Sequence, residues 1–461
     1  MTLNNTRIIL RARNTKTGAI LNLAKKIDLV LPKDISALIK KVGRLSDSLG
    51  YAAFIVGGLA RDLVLGVKNL DIDIVVEGDA IKTGRLLARD LKAAIVVHKK
   101  FGTCSVATKN KFKIDIATAR TERYEKPAAL PTVEFSSLKD DLIRRDFTIN
   151  AMAISINDAS FGRLIDLFNG RRDLARGRIK ILHDGSFIDD PTRILRAVRF
   201  ESRFGFVIER HTEELIKKAI DRSMLDKVEP QRMRDELILM LQDPRPLGAL
   251  KRLSGLEGIN FINSGIKVDS DLIKLYNAID ETCARYESSG CRKKEIEKWP
   301  IYLMALFDSL TYAQVWAISN KFVFKGSDRL KLLSCKKHAV DVIKELSEKK
   351  APAPHEIYRL LKPLPIEVIL FTIAVTALMV STAKRTIVRR AIKEFLQNYS
   401  GMSISVCGDD LKSMGLKPGP EFAVILKDVL YKKIDGKLDT RLDEIEYARA
   451  LTRRALNKKR R

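Results

Sequence analysis

The sequence predicts an α+β protein: a small mixed sheet with helices comes first, and an all-helical remainder follows. Three observations carry this. Phe54-Ile55-Val56 is an apolar run ended by Gly57-Gly58, a strand entering a helix in which Leu59, Leu63 and Val64 form the apolar pattern. After Gly66, the stretch Leu70 to Val76 alternates with period two, so Asp71 and Asp73 project from one face of a second strand. From about Leu250 onward, apolar residues recur at helical spacing.

Taken in order, the chain opens on basic residues, Arg7, Arg11, Arg13, Lys16, Lys25 and Lys26, with no acid before Asp28. Organelle transit peptides and solvated basic arms near RNA share that composition. Asp34 to Leu49 has helical spacing, with Asp34 placed to cap its start and Gly50 to end it. The Phe54–Val76 unit follows. Ala80 to Leu91 is a further amphipathic helix, and Ile95–Val97, Cys104–Thr108 and Phe112–Ala117 are short strands. Glu122 to Leu142, with Pro127, Pro131 and several charges, reads as a long mobile loop. The longest apolar run, Ile366 to Val380, contains Glu367 and is short for a bilayer, so it reads as a buried core helix with no membrane role. Ser288-Ser289-Gly290 and Ala351 to Pro354 are loops, Gly408 to Pro420 is a turn-rich connection, and Arg453 to Arg461 is a mobile basic end.

Composition narrows the partners. With 84 Lys and Arg against 57 Asp and Glu, the 461 residues carry a formal charge of +27, which calls for a polyanion such as RNA, DNA or an acidic membrane surface. Aromatics are only 7%, which disfavours extended stacking of bases on exposed rings. The five cysteines, Cys104, Cys283, Cys291, Cys335 and Cys407, are scattered and form no C-x-x-C, so neither a zinc site nor a disulfide framework is expected, and a reducing cytoplasm fits.

The chemistry is concentrated in a few strings. Two carboxylates on a rigid strand repel each other unless a hard divalent cation lies between them; Asp71 and Asp73 therefore suit Mg²⁺. Gly57-Gly58 lets backbone N–H groups approach a phosphate at the start of a helix. Arg144 and Arg145 can neutralise a triphosphate, and Asp146 and Asn150, placed i, i+4 on one helix face, can hydrogen-bond a ribose edge. Asp189 and Asp190 precede Arg193 by four and three residues. As a set they offer an acceptor and donors that match cytosine and adenine but leave uracil and guanine mismatched, at about 1–3 kcal/mol per unsatisfied buried group. Arg232 and Glu236, spaced i, i+4, are placed to pair as a structural brace. His183-Asp184 lacks the further ligands of an HD-type phosphohydrolase and reads as a polar turn.

GGLARDLVLG followed by DIDIVV, then RRDFTINA at Arg144–Ala151 and FIDDPTRILRAVRF at Phe187–Phe200, resembles the class II tRNA nucleotidyltransferases and bacterial poly(A) polymerases. The motif resemblance runs from about Phe54 to Leu237. It implies a polymerase-β-like nucleotidyltransferase head followed by helical neck, body and tail. The expected divisions are a basic arm at 1–33, the head at 34–172, the neck at 173–255, the body at 256–345 and a tRNA-binding tail at 346–461. It also implies Mg²⁺ ions at Asp71 and Asp73, which align a primer 3′-hydroxyl with an α-phosphate, and Asp115 as a third carboxylate. Gly57, Gly58, Arg61, Arg144 and Arg145 fall on the triphosphate side, Asp146 meets the 2′-hydroxyl, and Asn150, Asp189, Asp190, Arg193 and Arg196 complete the nucleotide site. Asp189 stands where the family's template has Glu. The Arg120-Thr121-Glu122 segment and the loop after it argue against an enzyme that adds only the cytidines. The implied partners are tRNA, ATP and CTP, with a separate CC-adding enzyme if only the terminal adenosine is added. Full CCA addition, terminal A addition and poly(A) synthesis remain open at this point, and a non-catalytic RNA-binding module is the rival of a different class.

Overall fold

A computed structural model describes residues 21–459 apart from 109–111, 124–126, 129–131, 290–294 and 350. The basic positions Arg7, Arg11, Arg13 and Lys16 and the thiol of Cys291 lie outside the described residues. The chain forms two compact units, Met1–Phe261 and Ile262–Arg461.

The first unit is built on a sheet of seven strands. They are β1 (Ala52–Val56), β2 (Ile72–Glu77), β3 (Ala94–His98), β4 (Thr103–Ala107), β5 (Lys113–Thr118), β8 (Ala153–Ser155) and β9 (Leu164–Ile165), in the order β3-β4-β5-β2-β1-β8-β9. Only β2 and β5 pair in parallel, and their register sets Asp73 opposite Asp115. Ile72, Ile74 and Val76 are buried on one face of β2. By alternation Asp73 and Val75 share the other, where Val75 packs with Leu138 and Leu142. Among the helices, α1 is Ala24–Val30, α2 Lys33–Ser48, α3 Gly57–Leu65, α4 Ala80–Leu91 and α5 Leu138–Ile143. Helices α2 and α4 pack on the sheet and on each other. Asp79 caps α4 by accepting from the Lys82 N–H at 2.9 Å. The N-cap of α2 is Pro32, not Asp34, which lies inside the first turn and accepts from the Ile35 N–H.

The stretch expected as one long loop is largely ordered in its described parts. β6 (Arg120–Arg123) pairs antiparallel with β7 (Thr132–Phe135), and α5 follows, started by a capping box of Ser137 and Asp140. Helix α6 (Gly170–Arg176), the short pair β10 (Arg178–Ile179) and β11 (Val207–Ile208), and helices α7 (Ser186–Asp189) and α8 (Thr192–Phe204) come next. They are joined by α9 (Arg210–Asp221), α10 (Pro230–Gln242) and α11 (Pro246–Gly255). Helix α8 packs on α10 and α11, and its Phe200 meets Phe147 edge-on with ring centroids 5.9 Å apart.

The second unit is helical in its described residues: α12 (Ser270–Ser288), α13 (Trp299–Leu306), α14 (Tyr312–Lys321), α15 (Gly326–Glu348), α16 (Pro354–Leu361), α17 (Ile366–Val375), α18 (Thr382–Glu394), α19 (Gly408–Ser413), α20 (Pro420–Ile434) and α21 (Arg441–Lys459). Helix α15 runs across position 345/346. Val342, Leu346, Ile357, Leu361, Ile369, Val388 and Phe395 form one core, and Val406, Leu411, Ile425, Val429 and Ala448 another. Part of the Gly408–Pro420 connection is the helix α19, and the basic end is helical through Lys459, because α21 buries Ala448 and Glu444 against α20 and the chain before it. Helix α17 is mostly buried, as its composition implies. No single helix among the described residues is long and apolar enough to cross a membrane, although the bent pair α16 and Ile366–Leu378, turned by 113°, passes by length and composition together.

Candidate active site

The site grows from the β1–α3 junction. The extended backbone of Val56 meets Gly57 at φ +66°, and this turn opens α3, whose Gly57 and Gly58 line a cavity of about 550 Å³. A Cβ at Gly57 would stand 3.1 Å from Arg145 Nη1 and 3.8 Å from Asp73 Oδ2, so the bare backbone is what allows these groups to converge.

Across the cavity, Asp71, Asp73 and Asp115 bring carboxylate oxygens within 4.8 Å of one another. The sheet register does this: Asp73 and Asp115 are paired neighbours, and Asp71 lies one alternation earlier. Burial and then the charge of Asp71 push the Asp73 carboxyl up to about 6, with Arg145 only partly offsetting them. Asp115 accepts from Ser105 Oγ and meets Lys113 Nζ at 2.7 Å. An all-oxygen donor set with unbalanced negative charge fits a hard divalent cation. Asn69 fixes the approach, accepting from the Asp71 N–H at 2.9 Å and donating to Asp62 at 2.8 Å.

The arginines are anchored from beneath. The buried Asp141 accepts from Arg144 Nη2 at 2.5 Å and from Arg145 Nη2 at 2.8 Å. Burial pushes the Asp141 carboxyl up, but the guanidiniums of Arg145 and Arg144 outweigh it and hold the group below the usual carboxylate range. Arg144 also meets Glu122 at 2.7 Å. Asp141 was not singled out from sequence, although its i, i+3 and i, i+4 spacing to the two arginines was there to be read.

Beside them runs a buried chain of partners. Arg61 donates to Asp62 at 2.8 Å and to Asn150 Oδ1 at 2.7 Å, and its guanidinium stacks 4.7 Å from the Phe204 ring centroid. Asn150 donates to Asp146 at 3.0 Å. The two do not share an α-helix face: Thr148–Asn150 is a single 3₁₀ turn, and that tighter turn makes the contact. Asp146 Oδ2 accepts from Arg196 at 3.0 and 2.6 Å, and Arg196 reaches Glu236 at 3.1 Å.

The base-reading candidates are arranged differently from the i, i+3 expectation. Asp190 and Arg193 line the cavity but do not pair with each other. Asp190 Oδ1 accepts from the Thr192 N–H and hydroxyl and from Arg232 Nη2 at 2.9 Å. Arg193 donates to Ser186 Oγ and to the Arg144 carbonyl, each at 2.6 Å. Asp189 is turned toward His183, 3.9 Å away, and is not among the lining residues. The expected Arg232–Glu236 brace is absent: Arg232 holds Asp190, and Glu236 faces Arg196 and Arg199, because α8 packs across α10 and supplies nearer partners than the helix's own next turn. Arg199, Phe200, Arg203, Asn69 and Glu122 also line the cavity and were not foreseen. The R-x-x-R-F-x-x-R spacing from Arg196 to Arg203 was the signal for Arg199, Phe200 and Arg203.

Residues 53–180 match the family model of the poly A polymerase head domain, and residues 205–262 match a model described as the probable RNA and SrmB-binding site of polymerase A. An A-adding tRNA nucleotidyltransferase of Geobacter sulfurreducens is 37% identical over 422 residues, covering 91% of this chain and 47% of the relative, so the chain spans about half that protein's length. An A-adding tRNA nucleotidyltransferase of Halalkalibacterium halodurans is 31% identical over 437 residues, covering 93% of this chain and 95% of the relative. A solved Thermotoga maritima CCA-adding enzyme complexed with tRNA has a TM-score of 0.70 at 30% identity, covering 94% of this chain and 99% of that one.

Proposed function

The chain belongs to the tRNA nucleotidyltransferase/poly(A) polymerase family, and we propose that it transfers the terminal adenosine from ATP to the 3′ end of tRNA, releasing pyrophosphate. The observation that carries nucleotidyl transfer is a single cavity lined by two of the three clustered carboxylates, a helix N-terminus opened by Gly57-Gly58, the Arg144–Arg145 pair and the Asp190–Arg193 pair, and the choice of adenosine is supported by the A-adding relatives. Each part meets one part of the reacting system. Asp71, Asp73 and Asp115 would hold Mg²⁺, which when bound supplies Lewis-acid stabilisation of the attacking and leaving oxygens. The Gly57-Gly58 backbone and the Arg144 and Arg145 guanidiniums take the triphosphate, with Asp141 keeping both arginines pointed. Arg61, Asn150 and Asp146 form the connected wall from which Asp146 meets the ribose. Asp190 Oδ2 accepts from the exocyclic amine of adenine and Arg193 donates to its N1.

A second reading, addition of all three CCA nucleotides with CTP, is favoured by one observation. The acceptor and donor at Asp190 and Arg193 suit cytosine as well as adenine. The high positive charge supports tRNA as the polyanionic partner, with phosphate-dominated contacts whose affinity falls steeply with added salt.

The test gives the purified protein Mg²⁺, labelled nucleotides and three tRNA transcripts, ending before CCA, after C and after CC. Extension of only the CC-ended transcript, by one adenosine, is the expected result. Completion of all three to CCA establishes the second reading. A long untemplated A tail assigns poly(A) synthesis instead, and no incorporation removes the catalytic reading.

A further inference from the structure

We infer that Arg232 and Ser186 are positioning residues for base selection, each holding one member of the Asp190–Arg193 pair so that both face the nucleotide rather than each other. This rests on reading Asp190 and Arg193 as the base-selecting pair.

Opposite charges three residues apart at a helix start ordinarily close on each other. A closed Asp190–Arg193 pair would satisfy its own donors and acceptor and leave no fixed edge for a base. Here both are held open by third parties. Arg232, 42 residues along on α10, takes Asp190 Oδ1 at 2.9 Å. The Thr192 hydroxyl and N–H complete that oxygen's partners at 2.7 and 3.2 Å. Among the described residues Oδ2 has no hydrogen-bond partner. On the other side, Ser186 Oγ and the Arg144 carbonyl occupy one N–H each on Nη1 and Nη2 of Arg193, both at 2.6 Å. Three of its five N–H donors stay available. The result is one acceptor oxygen and one donor edge, separately anchored, in a cavity that must tell an amine beside a ring acceptor from a carbonyl beside a ring N–H. Arg144 couples the two ends of the site: its carbonyl orients Arg193 while its guanidinium rests on Asp141 and Glu122. Removing Arg232 takes away the only cation paired with Asp190 among the described residues and frees that carboxylate to turn onto Arg193.

The experiment measures kcat and KM for ATP, CTP, UTP and GTP on the CC-ended transcript, using the full-length protein. Arg232→Ala is expected to lower the ratio of kcat/KM for ATP over GTP at least about tenfold, the scale set by unpairing groups built to read a base. The loss falls on the correct nucleotide. Arg232→Lys recovers part of the ratio, and Ser186→Ala shifts it less but in the same direction. If Arg232→Ala does not fold, Arg232→Gln, which keeps the length of the side chain, reads the same loss. Wild-type ratios in Ser186→Ala and in either Arg232 variant overturn the inference, leaving Arg232 a brace. Asp190→Ala and Arg193→Ala, measured alongside, separate the two ideas. If they abolish selection while the positioning variants keep it, only the inference fails. If they keep it too, the base-reading pair itself is wrong.

Discussion

The two ends of the cavity handle charge in opposite ways. At the carboxylate end, Asp71, Asp73 and Asp115 crowd together with little protein cation between them, and Asp73 is raised to about 6. At the proposed base-reading end the acids lie beside protein cations: Asp146 has Arg196, Asp190 has Arg232, and Glu236 has Arg196 and Arg199. Burial alone would lower the Arg196 guanidinium, yet Asp146 and Glu236 more than reverse it and raise the group. On the proposed roles, the difference follows from what each end would receive. A small hard cation brings its own charge, so the fold leaves repulsion for it to relieve. A base brings only dipoles, so its readers must be neutralised and fixed beforehand.

The sharpest way to break the comparison is Asp73→Asn. If the carboxylate end works by unbalanced charge, transfer falls by about 10³-fold or more, as expected for loss of a metal-holding group. tRNA affinity by filter binding stays within about threefold, because phosphate contacts dominate it. Transfer that survives would mean that the cluster is not the reacting centre.

Asp141→Ala probes the arginine anchor between the two ends. Removing the buried partner strands Arg145, while Arg144 keeps Glu122, and costs about 3 kcal/mol in urea unfolding. The pH dependence has a fixed sign. The folded carboxyl lies below its unfolded value, so its stabilisation is complete above about pH 4, the unfolded value, and is lost as the pH falls through the lower, folded value. Acid unfolding followed by circular dichroism is therefore shallower in Asp141→Asn than in the wild type.

These two ends were not equally legible in the sequence. Asp71 and Asp73 share a strand face by a period of two, a local rule, whereas Asp115 joins them through the parallel β2–β5 register, which only the family resemblance implied. The reading end depends on which helices cross. Counting along one helix pairs Arg232 with Glu236 and Asp190 with Arg193. The packing beside α10 gives Arg232, Glu236 and Asp190 nearer partners, Arg193 finds its own at Ser186 and the Arg144 carbonyl, and no spacing within one segment encodes that. Asp146 and Asn150 read from spacing as sharing a helix face toward a ribose; the chain instead makes a 3₁₀ turn at Thr148–Asn150, and the two side chains bond each other. The hairpin of β6 and β7 was hidden by prolines and charges, which signal a loop more strongly than four-residue strands signal a sheet.

Gly57→Ala tests the junction that lets both ends meet. At φ +66° the alanine is strained by about 1 kcal/mol. Its methyl also presses on Arg145 Nη1, a flexible tip that can yield by a few tenths of an ångström. The expected outcome is a melting midpoint lowered by a few degrees and kcat/KM for ATP down about tenfold, with KM carrying most of the change. An unchanged KM would place the triphosphate away from the α3 N-terminus.

The smallest effect expected is also the one that bears most directly on why the carboxylate end is left unbalanced. Lys113 lies 2.7 Å from Asp115 Oδ2, but its side chain is 63% exposed and that of Asp115 36%, so water screens the pair. Such pairs are worth about 0–1 kcal/mol. Lys113 is thus a weak competitor for an oxygen that a divalent cation also needs, and Lys113→Ala should tighten Mg²⁺ binding by no more than about fivefold. The measurement is the Mg²⁺ concentration that half-saturates the rise in melting temperature of the RNA-free protein, which does not depend on turnover. Tighter binding means that the lysine only competes for the cluster. Weaker binding means that it aims Asp115, in which case the carboxylate end is positioned by protein partners much as the reading end is, and the contrast between the two is one of degree.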